Sequence, residues 1–455
     1  FPLLFMDINF PWSHEEIVDQ DQWEMADTFL YELGNPLNSM LFWARLPIML
    51  LSLLLGFFIF KWSKEITKSN FWGIFALILY AFNPTIIAHS RYITTDMGIS
   101  CFIFLSLYYF YRFLFLEKMK DLVFFSISIA LALMTKFSAL VFGPPMLVIL
   151  FVIKYFKKNI NYLYLLLISG SIIILIGTAL YFFEPLIFSK GFGMVQGHNK
   201  DGHESYLMGE YRTLGWWYYF PLAFLIKNTI PFLIITLGSL FLMIPFFASG
   251  LKKGKFNKNK ARMQLYLILL LPTAFYMVIS IMSSINLGVR HLLPIFPLLI
   301  MMAVITLDWW FKQIRSIKFK QILIGLIIFL LACNIISVLL IYPNFLAYFN
   351  IAIGGPGQGE KYLMDSNIDW GQDLKKVRPY LEKNGIDETV YIAYHGRGEP
   401  HDYNLNYKNL NTERREGYLI ISKSFLYYKD KPFAWLERYE PTDVIGGSIN
   451  VYDFR

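Results

Sequence analysis

Three stretches of this 455-residue chain set ionisable side chains inside or beside long apolar runs, where a charge is costly and therefore points to function. The densest runs from Asn83-Pro84 to Asp96 and carries His89, Arg91 and Asp96 between two apolar segments. A guanidinium and a carboxylate five residues apart can hold a phosphate together with a metal or an attacking hydroxyl. The same pair can make a salt-bridged turn in which Asp96 caps the next helix. Lys136, in Met134-Thr135-Lys136-Phe137, stands alone between apolar runs. It either snorkels to the interface or meets a lipid-linked phosphate as a point charge. Arg290 and His291 open a further apolar run, where helix N-terminal amides favour an anion and an arginine suits phosphate oxygens.

Two polar stretches add candidates. In Gly197–Arg212, His198, His203 and Glu204 could ligate a divalent cation, but their spacing matches no closed zinc site, and Glu210 and Tyr211 follow. Trp216 and Trp217 belong to an aromatic cluster ending at Pro221. Such a cluster is an interfacial belt or a platform for a sugar ring or isoprenoid units. Lys227 is embedded in the next apolar run. In Asp365–Asp373, the residues Asp365, Asn367 and Asp369 precede an expected helix at 372–383. Asp369 or Gly371 caps it, or the group touches substrate or metal. The chain has no P-loop, GxSxG, HExxH, dinucleotide fingerprint or EF-hand loop, which argues against ATP-driven chemistry.

The elements that position these residues follow from composition. The chain is 56% hydrophobic and only 16% charged, with mean hydropathy +0.45. A soluble domain carries about 25% charged residues, so a polytopic membrane bundle is expected instead. Apolar runs predict helices at about 41–60, 71–90, 97–116, 121–137, 138–153, 161–183, 221–246, 263–284, 289–310 and 321–343. Gly143-Pro144-Pro145 interrupts the fifth. Lys61, Lys64, Lys68, Arg112, Lys118, Lys120, Lys154, Lys157, Lys158, the basic run 252–262, Lys312, Arg315, Lys318 and Lys320 fall in alternate connections, whose acids are Glu65 and Glu117. By the positive-inside rule those connections are cytoplasmic. The first forty residues hold eight acids and no Lys or Arg, and with 184–220 and the tail they are expected on the other side. The net charge of +8 is thereby a topology signal, not a nucleic-acid stripe. Cys101 and Cys333 lie in apolar runs and read as buried small hydrophobes.

Three regions are expected: an extracytoplasmic loop at 1–40, a transmembrane domain at 41–343, and an extracytoplasmic α/β domain at 344–455. The last has 14 basic and 16 acidic residues and strand-like pieces at 390–394, 417–421 and 445–452.

The quoted segments, with Ile445-Gly446-Gly447-Ser448-Ile449 near the end, occur in an order that resembles one family. This is the bacterial branch of the protein O-mannosyltransferase superfamily of integral-membrane C-type glycosyltransferases, which includes lipid A aminoarabinose transferases. The resemblance implies an inverting transfer of a sugar from a polyprenyl-phosphate donor to an extracytoplasmic protein, lipid or glycan, in the inner (plasma) membrane and without nucleotide at that face. Asp96 resembles the family's second exoplasmic carboxylate, Arg91 and Lys136 its donor-phosphate contacts, and Arg290 has the position for the lipid phosphate. The family's general base is an Asp in the first exoplasmic loop after a first helix. The chain starts too late to include either, so eleven crossings and a missing N-terminal segment are expected. No cofactor is required by the resemblance, and a divalent cation stays open.

The chemistry stands on its own terms. Polyprenyl phosphate is a good leaving group, so a base for the acceptor proton and cations for the departing phosphate suffice. Arg91, Lys136 and Arg290 are expected to converge on one cavity with Asp96 beside it. The rival is a transporter or flippase of a lipid-linked sugar, which would place ionisable groups near the bilayer midplane in inverted repeats. Here they gather at one face without visible repeat symmetry. A non-catalytic membrane scaffold would leave the three cations without a shared purpose.

Overall fold

The computed structural model describes residues 2–11, 22–156, 162–180, 185–250 and 256–455. Part of the expected 161–183 helix, Lys157, Lys158 and the side chains of the basic run up to residue 260 lie outside what is described. Among the described residues six helices are long and apolar enough to cross a membrane: Leu37–Thr67, Thr95–Leu116, Ile230–Phe247, Ala261–Ile281, Val289–Gln313 and Ile317–Leu339. Asn70–Ala81, Phe137–Ile153 and Leu167–Leu180 are apolar but shorter. The protein is a polytopic helical bundle with a small C-terminal sheet.

Burial orders the bundle. Val289–Gln313 is its centre, with 94% of its apolar window buried, whereas Ile317–Leu339 has 22% and turns most of its surface outward. An all-round apolar helix tolerates either position, because lipid tails and neighbouring side chains are comparably apolar. The central helix packs Phe296 on Phe224 and Phe232.

Four expected helices are broken, two of them at polar residues. The 71–90 run is two helices, Asn70–Ala81 and Pro84–His89. Asn83 caps the second, its Oδ1 accepting from Ile86 N at 3.0 Å, with Pro84 just inside the start. The 221–246 run breaks at Lys227-Asn228-Thr229 into Tyr219–Ile226 and Ile230–Gly250. Phe137–Phe142 and Val289–Ile295 are 3-10 turns leading into Gly143–Phe156 and Phe296–Gln313. Backbone polar groups freed at such breaks must find partners inside the protein. Asn83 Nδ2 donates to Asn228 Oδ1 at 2.7 Å, Asn334 Nδ2 donates to Phe82 O at 2.7 Å, and Thr229 Oγ1 donates to Asn334 Oδ1. One buried polar seam thus joins three helices.

The sheet orders its strands as Tyr407–Asn409, Val390–Ala393, Tyr418–Ser422, Ile449–Asp453 and Asp443–Ile445. The first two pairings are parallel and the last two antiparallel. Strand alternation sends Val390, Ile392, Ile420 and Val451 to a face covered by Leu374, Val377 and Leu381. Leu419, Ile421 and Tyr452 go to the other face, against Phe433 and Leu436. The expected 445–452 strand is a hairpin turning at Gly446-Gly447, where φ is +66° and +93°. The expected 372–383 helix is a 3-10 turn at Leu374–Lys376 and a helix at Val377–Lys383.

Sheet domain and bundle are joined through buried polar groups. Lys227 Nζ donates to Leu346 O and Asn367 O, each at 2.7 Å, over the ring of Phe349. Asn350 Nδ2 donates to Leu225 O and Asn228 O. The break at 227–229 is the hinge pin of this junction.

Candidate functional site

Asp96 is the second residue of the Thr95–Leu116 helix and is 1% exposed. It does not cap that helix; Thr94 is the N-cap residue and makes no side-chain cap bond. Two cations from distant chain segments grip its carboxylate instead. Lys136 Nζ lies 2.6 Å from Oδ1 and Arg290 Nη1 lies 3.3 Å from Oδ2. Lys136 reaches it from the end of the Met119–Thr135 helix, and Arg290 from the 3-10 turn that starts the central helix. The family of buried charges is therefore paired, as a low-dielectric site requires, but not used up. Arg290 Nε and His291 Nε2 are buried without hydrogen-bond partners.

Trp370 walls this centre. The Arg290 guanidinium lies 4.7 Å from its ring centroid, and the His89 and Tyr92 rings meet it edge-on at 5.6 and 5.3 Å. Arg91 is on the Tyr92 side, with its guanidinium 5.4 Å from that ring. The structure brings Lys136 and Arg290 together on Asp96, whereas Arg91 makes no ion pair with Asp96. Arg91 Nε and Arg45 Nε are buried without partners. With Lys375 they form a second cationic group, and partial burial, then repulsion from Arg45 and Arg91, lowers the Lys375 ammonium from its ordinary value. His89 is 1% exposed, and its Nδ1 is unpartnered.

The remaining candidates divide. Tyr211, His203, Glu204 and Asp365 line one cavity between the bundle and the sheet domain, and Trp216 is buried beside it. Trp216 N donates to Asn286 Oδ1 at 2.7 Å. Gly215 precedes it at φ +61°, and a Cβ there would strike that same oxygen. Ser205–Leu207 and Glu210–Arg212 form a two-stranded hairpin where the polar sequence suggests a loop. Asn367 is buried and structural in its contacts: Oδ1 accepts from Val289 N, and Nδ2 donates to the Tyr219 hydroxyl. Asp369 is buried, its carboxylate accepting from Gly371 N and from Ser424 Oγ. Burial lifts its carboxyl to about 7. Glu210 pairs with Arg212 on the surface, and Trp217 is 70% exposed. Neither is brought to Asp96. Among the described residues no group of three or more His, Cys, Asp or Glu is placed to hold a metal ion.

Trp370, Arg45 and Lys375 were missed by sequence reasoning. Trp370 stood inside a quoted motif, but an indole gives no spacing signal of the cation it will face.

Residues 28–181 match the model of a family described as dolichyl-phosphate-mannose-protein mannosyltransferase. The matched stretch carries Arg91, Asp96 and Lys136, and it bears out the resemblance read from the sequence. That match spans about a third of the chain, and over it the protein is similar to the mannosyltransferases. Its helices long and apolar enough to cross a membrane make it a multi-pass membrane protein. No curated protein matches the chain. Two solved structures are similar, both of ArnT from Cupriavidus metallidurans, and each comparison covers 94% of this chain and 85% of that one. The form bound to undecaprenyl phosphate has 11% identity and a TM-score of 0.46, and the apo state has 12% and 0.39.

Proposed function

We propose that the chain transfers a sugar, with inversion, from a polyprenyl-phosphate donor to an extracytoplasmic acceptor, and that Lys136 and Arg290 hold the donor phosphate. The observation that carries this is the convergence of two cations from separate helices on one buried carboxylate, with Arg290 Nε and His291 Nε2 still unpartnered. In the proposed reaction the acceptor oxygen attacks the anomeric carbon from the face opposite the phosphate. The bond from that carbon to the phosphate oxygen breaks, its electron pair stays on the phosphate, and a base takes the acceptor proton. Lys136 and Arg290 stabilise the charge that develops on the leaving oxygen. The Asp96 oxygens are committed to both cations, so its proposed part is to orient them. The polyprenyl chain lies among the apolar helices. Residues 1–40 and 344–455 face the extracytoplasmic side of the inner membrane in this reading, which places the sheet domain where an acceptor arrives.

The test is a transfer assay in proteoliposomes with labelled polyprenyl-phosphate sugars. Labelled product and released polyprenyl phosphate are expected, both lowered by about 100-fold or more in Lys136→Met. Donor moved across the bilayer but chemically unchanged would establish the flippase reading instead.

A further inference from the structure

A cavity of about 390 Å³ lies between the Ser205–Arg212 hairpin, the start of the sheet domain and the outer end of the bundle. That volume falls in the range of small-molecule sites, about 300–1,000 Å³. Five tyrosines line it, among them Tyr206, Tyr211 and Tyr427, together with His203, His395 and the carboxylates Glu204 and Asp365. Among the described residues no lysine or arginine lines it. Lys429 reaches Glu204 at 3.2 Å, and among the described residues no cation pairs with Asp365. With Glu204 neutralised by Lys429 and Asp365 left without a paired cation, the lining favours an uncharged ligand over an anionic one.

Two groups here lack what they need. The Tyr211 hydroxyl is buried without a hydrogen-bond partner, a state that costs free energy until something supplies one. Asp365 sits at φ +56°, in the left-handed region that non-glycine residues seldom occupy, and its side chain lines the cavity. Burial raises its carboxyl from the ordinary value against the opposing field of Arg290. The backbone that holds it is stapled to the donor end of the bundle. Ser366 Oγ donates to Leu287 O at 2.5 Å, and Val289 N donates to Asn367 Oδ1 at 3.1 Å, one residue before Arg290.

We infer that this cavity binds an uncharged sugar ring, with the tyrosine faces against its carbons, Asp365 accepting from its hydroxyls and the Tyr211 hydroxyl gaining its missing partner. The inference rests on the glycosyl-transfer reading but not on Lys136 and Arg290. The ring belongs either to the donor or to a glycan acceptor, and the two sources share this chemistry.

The experiment uses the full chain in lipid nanodiscs. Saturation-transfer NMR is recorded with the methyl glycosides of mannose, glucose, xylose and N-acetylglucosamine. At least one glycoside binds, and Tyr211→Phe and Asp365→Asn each weaken it by about tenfold, the loss of one good hydrogen bond. Asparagine tolerates the left-handed backbone, so the second variant keeps the turn. Absence of binding across the panel, or binding unchanged in both variants, overturns the inference. Undecaprenyl phosphate, titrated separately, reads the Lys136–Arg290 centre and is unaffected by either substitution. Failure of that titration with glycoside binding intact sinks the donor-phosphate proposal alone. Undecaprenyl-phosphomannose displacing the bound glycoside identifies the ring as the donor's, and simultaneous binding identifies it as the acceptor's; both results uphold the cavity as a sugar site.

Discussion

The two ends of the same helices handle buried charge differently. At one end, Arg112 Nε meets Asp121 Oδ1 at 2.9 Å and Arg112 Nη1 meets Glu65 at 3.6 Å, with the Tyr108 hydroxyl donating to Glu65. Arg262 and Lys312 both meet Asp308 Oδ2, at 3.2 and 2.8 Å, and Lys312 also donates to Thr67 O. Three carboxylates face three cations there. At the other end, among the described residues, Lys136 and Arg290 share Asp96 alone and no acid pairs with Arg45 or Arg91. A balanced set holds helices together. A surplus of buried positive charge is unstable by itself and is relieved by an anion, which is what separates a site from a strut.

Removing one cation at each end tests that distinction most directly. Arg290→Met or Lys136→Met should lower transfer by about 100-fold or more while the protein remains folded, the scale of losing one group that stabilises transition-state charge. Circular dichroism and gel filtration of the variants, beside turnover of labelled donor, check this. Equal loss of folding at that end would make Asp96 one more strut.

Much of this contrast was legible beforehand. Asp96, Lys136 and Arg290 stood out because ionisable groups amid apolar runs need a reason. Their meeting required only that the helix ends share a face, which the charge of the connections supplied. The placement of Arg91 was not legible. Sequence proximity to Asp96 does not fix the direction of a side chain in a turn, and the rings of Tyr92 and Trp370 lie between Arg91 and Arg290. Broken helices were hidden for a different reason: apolar runs read the same whether or not the chain bends inside them. Asn83-Pro84 did announce one break and Gly446-Gly447 the hairpin, whereas Lys227-Asn228-Thr229 showed its role only with Leu346 and Asn367 beside it.

Asp369 shows a third treatment of a buried carboxylate, with hydroxyl and amide donors and no cation. Its carboxyl is lifted from 3.8 to about 7, so the folded chain holds that proton more tightly than the unfolded chain does. The stabilisation is complete below about pH 4 and is lost as pH rises toward 7. Asp369→Asn should flatten the slope of thermal stability between pH 5 and 7, and an unchanged slope would assign it to other groups.

Arg112→Met should act on stability and leave transfer nearly intact. It strands Asp121, which is 2% exposed at its side chain, and breaking one partner of such a pair costs about 3 kcal/mol. Thermal unfolding in detergent reads the cost, and turnover per folded molecule reads the rest. A selective loss of turnover would mean that the balanced end also takes part in the chemistry.

Glu210→Gln marks the small end of the scale and sets the boundary of the site. Glu210 and Arg212 pair at 3.1 Å with 64% and 55% of their side chains exposed, and such surface pairs contribute about 0–1 kcal/mol. The substitution should leave stability and transfer within about twofold of the parent. Yet Glu210 opens the strand that carries Tyr211 into the cavity, so the experiment is informative in both directions. A silent Glu210→Gln beside a defective Tyr211→Phe would confine the sugar contacts to the inner face of the hairpin. A defect in both would extend them to its outer edge.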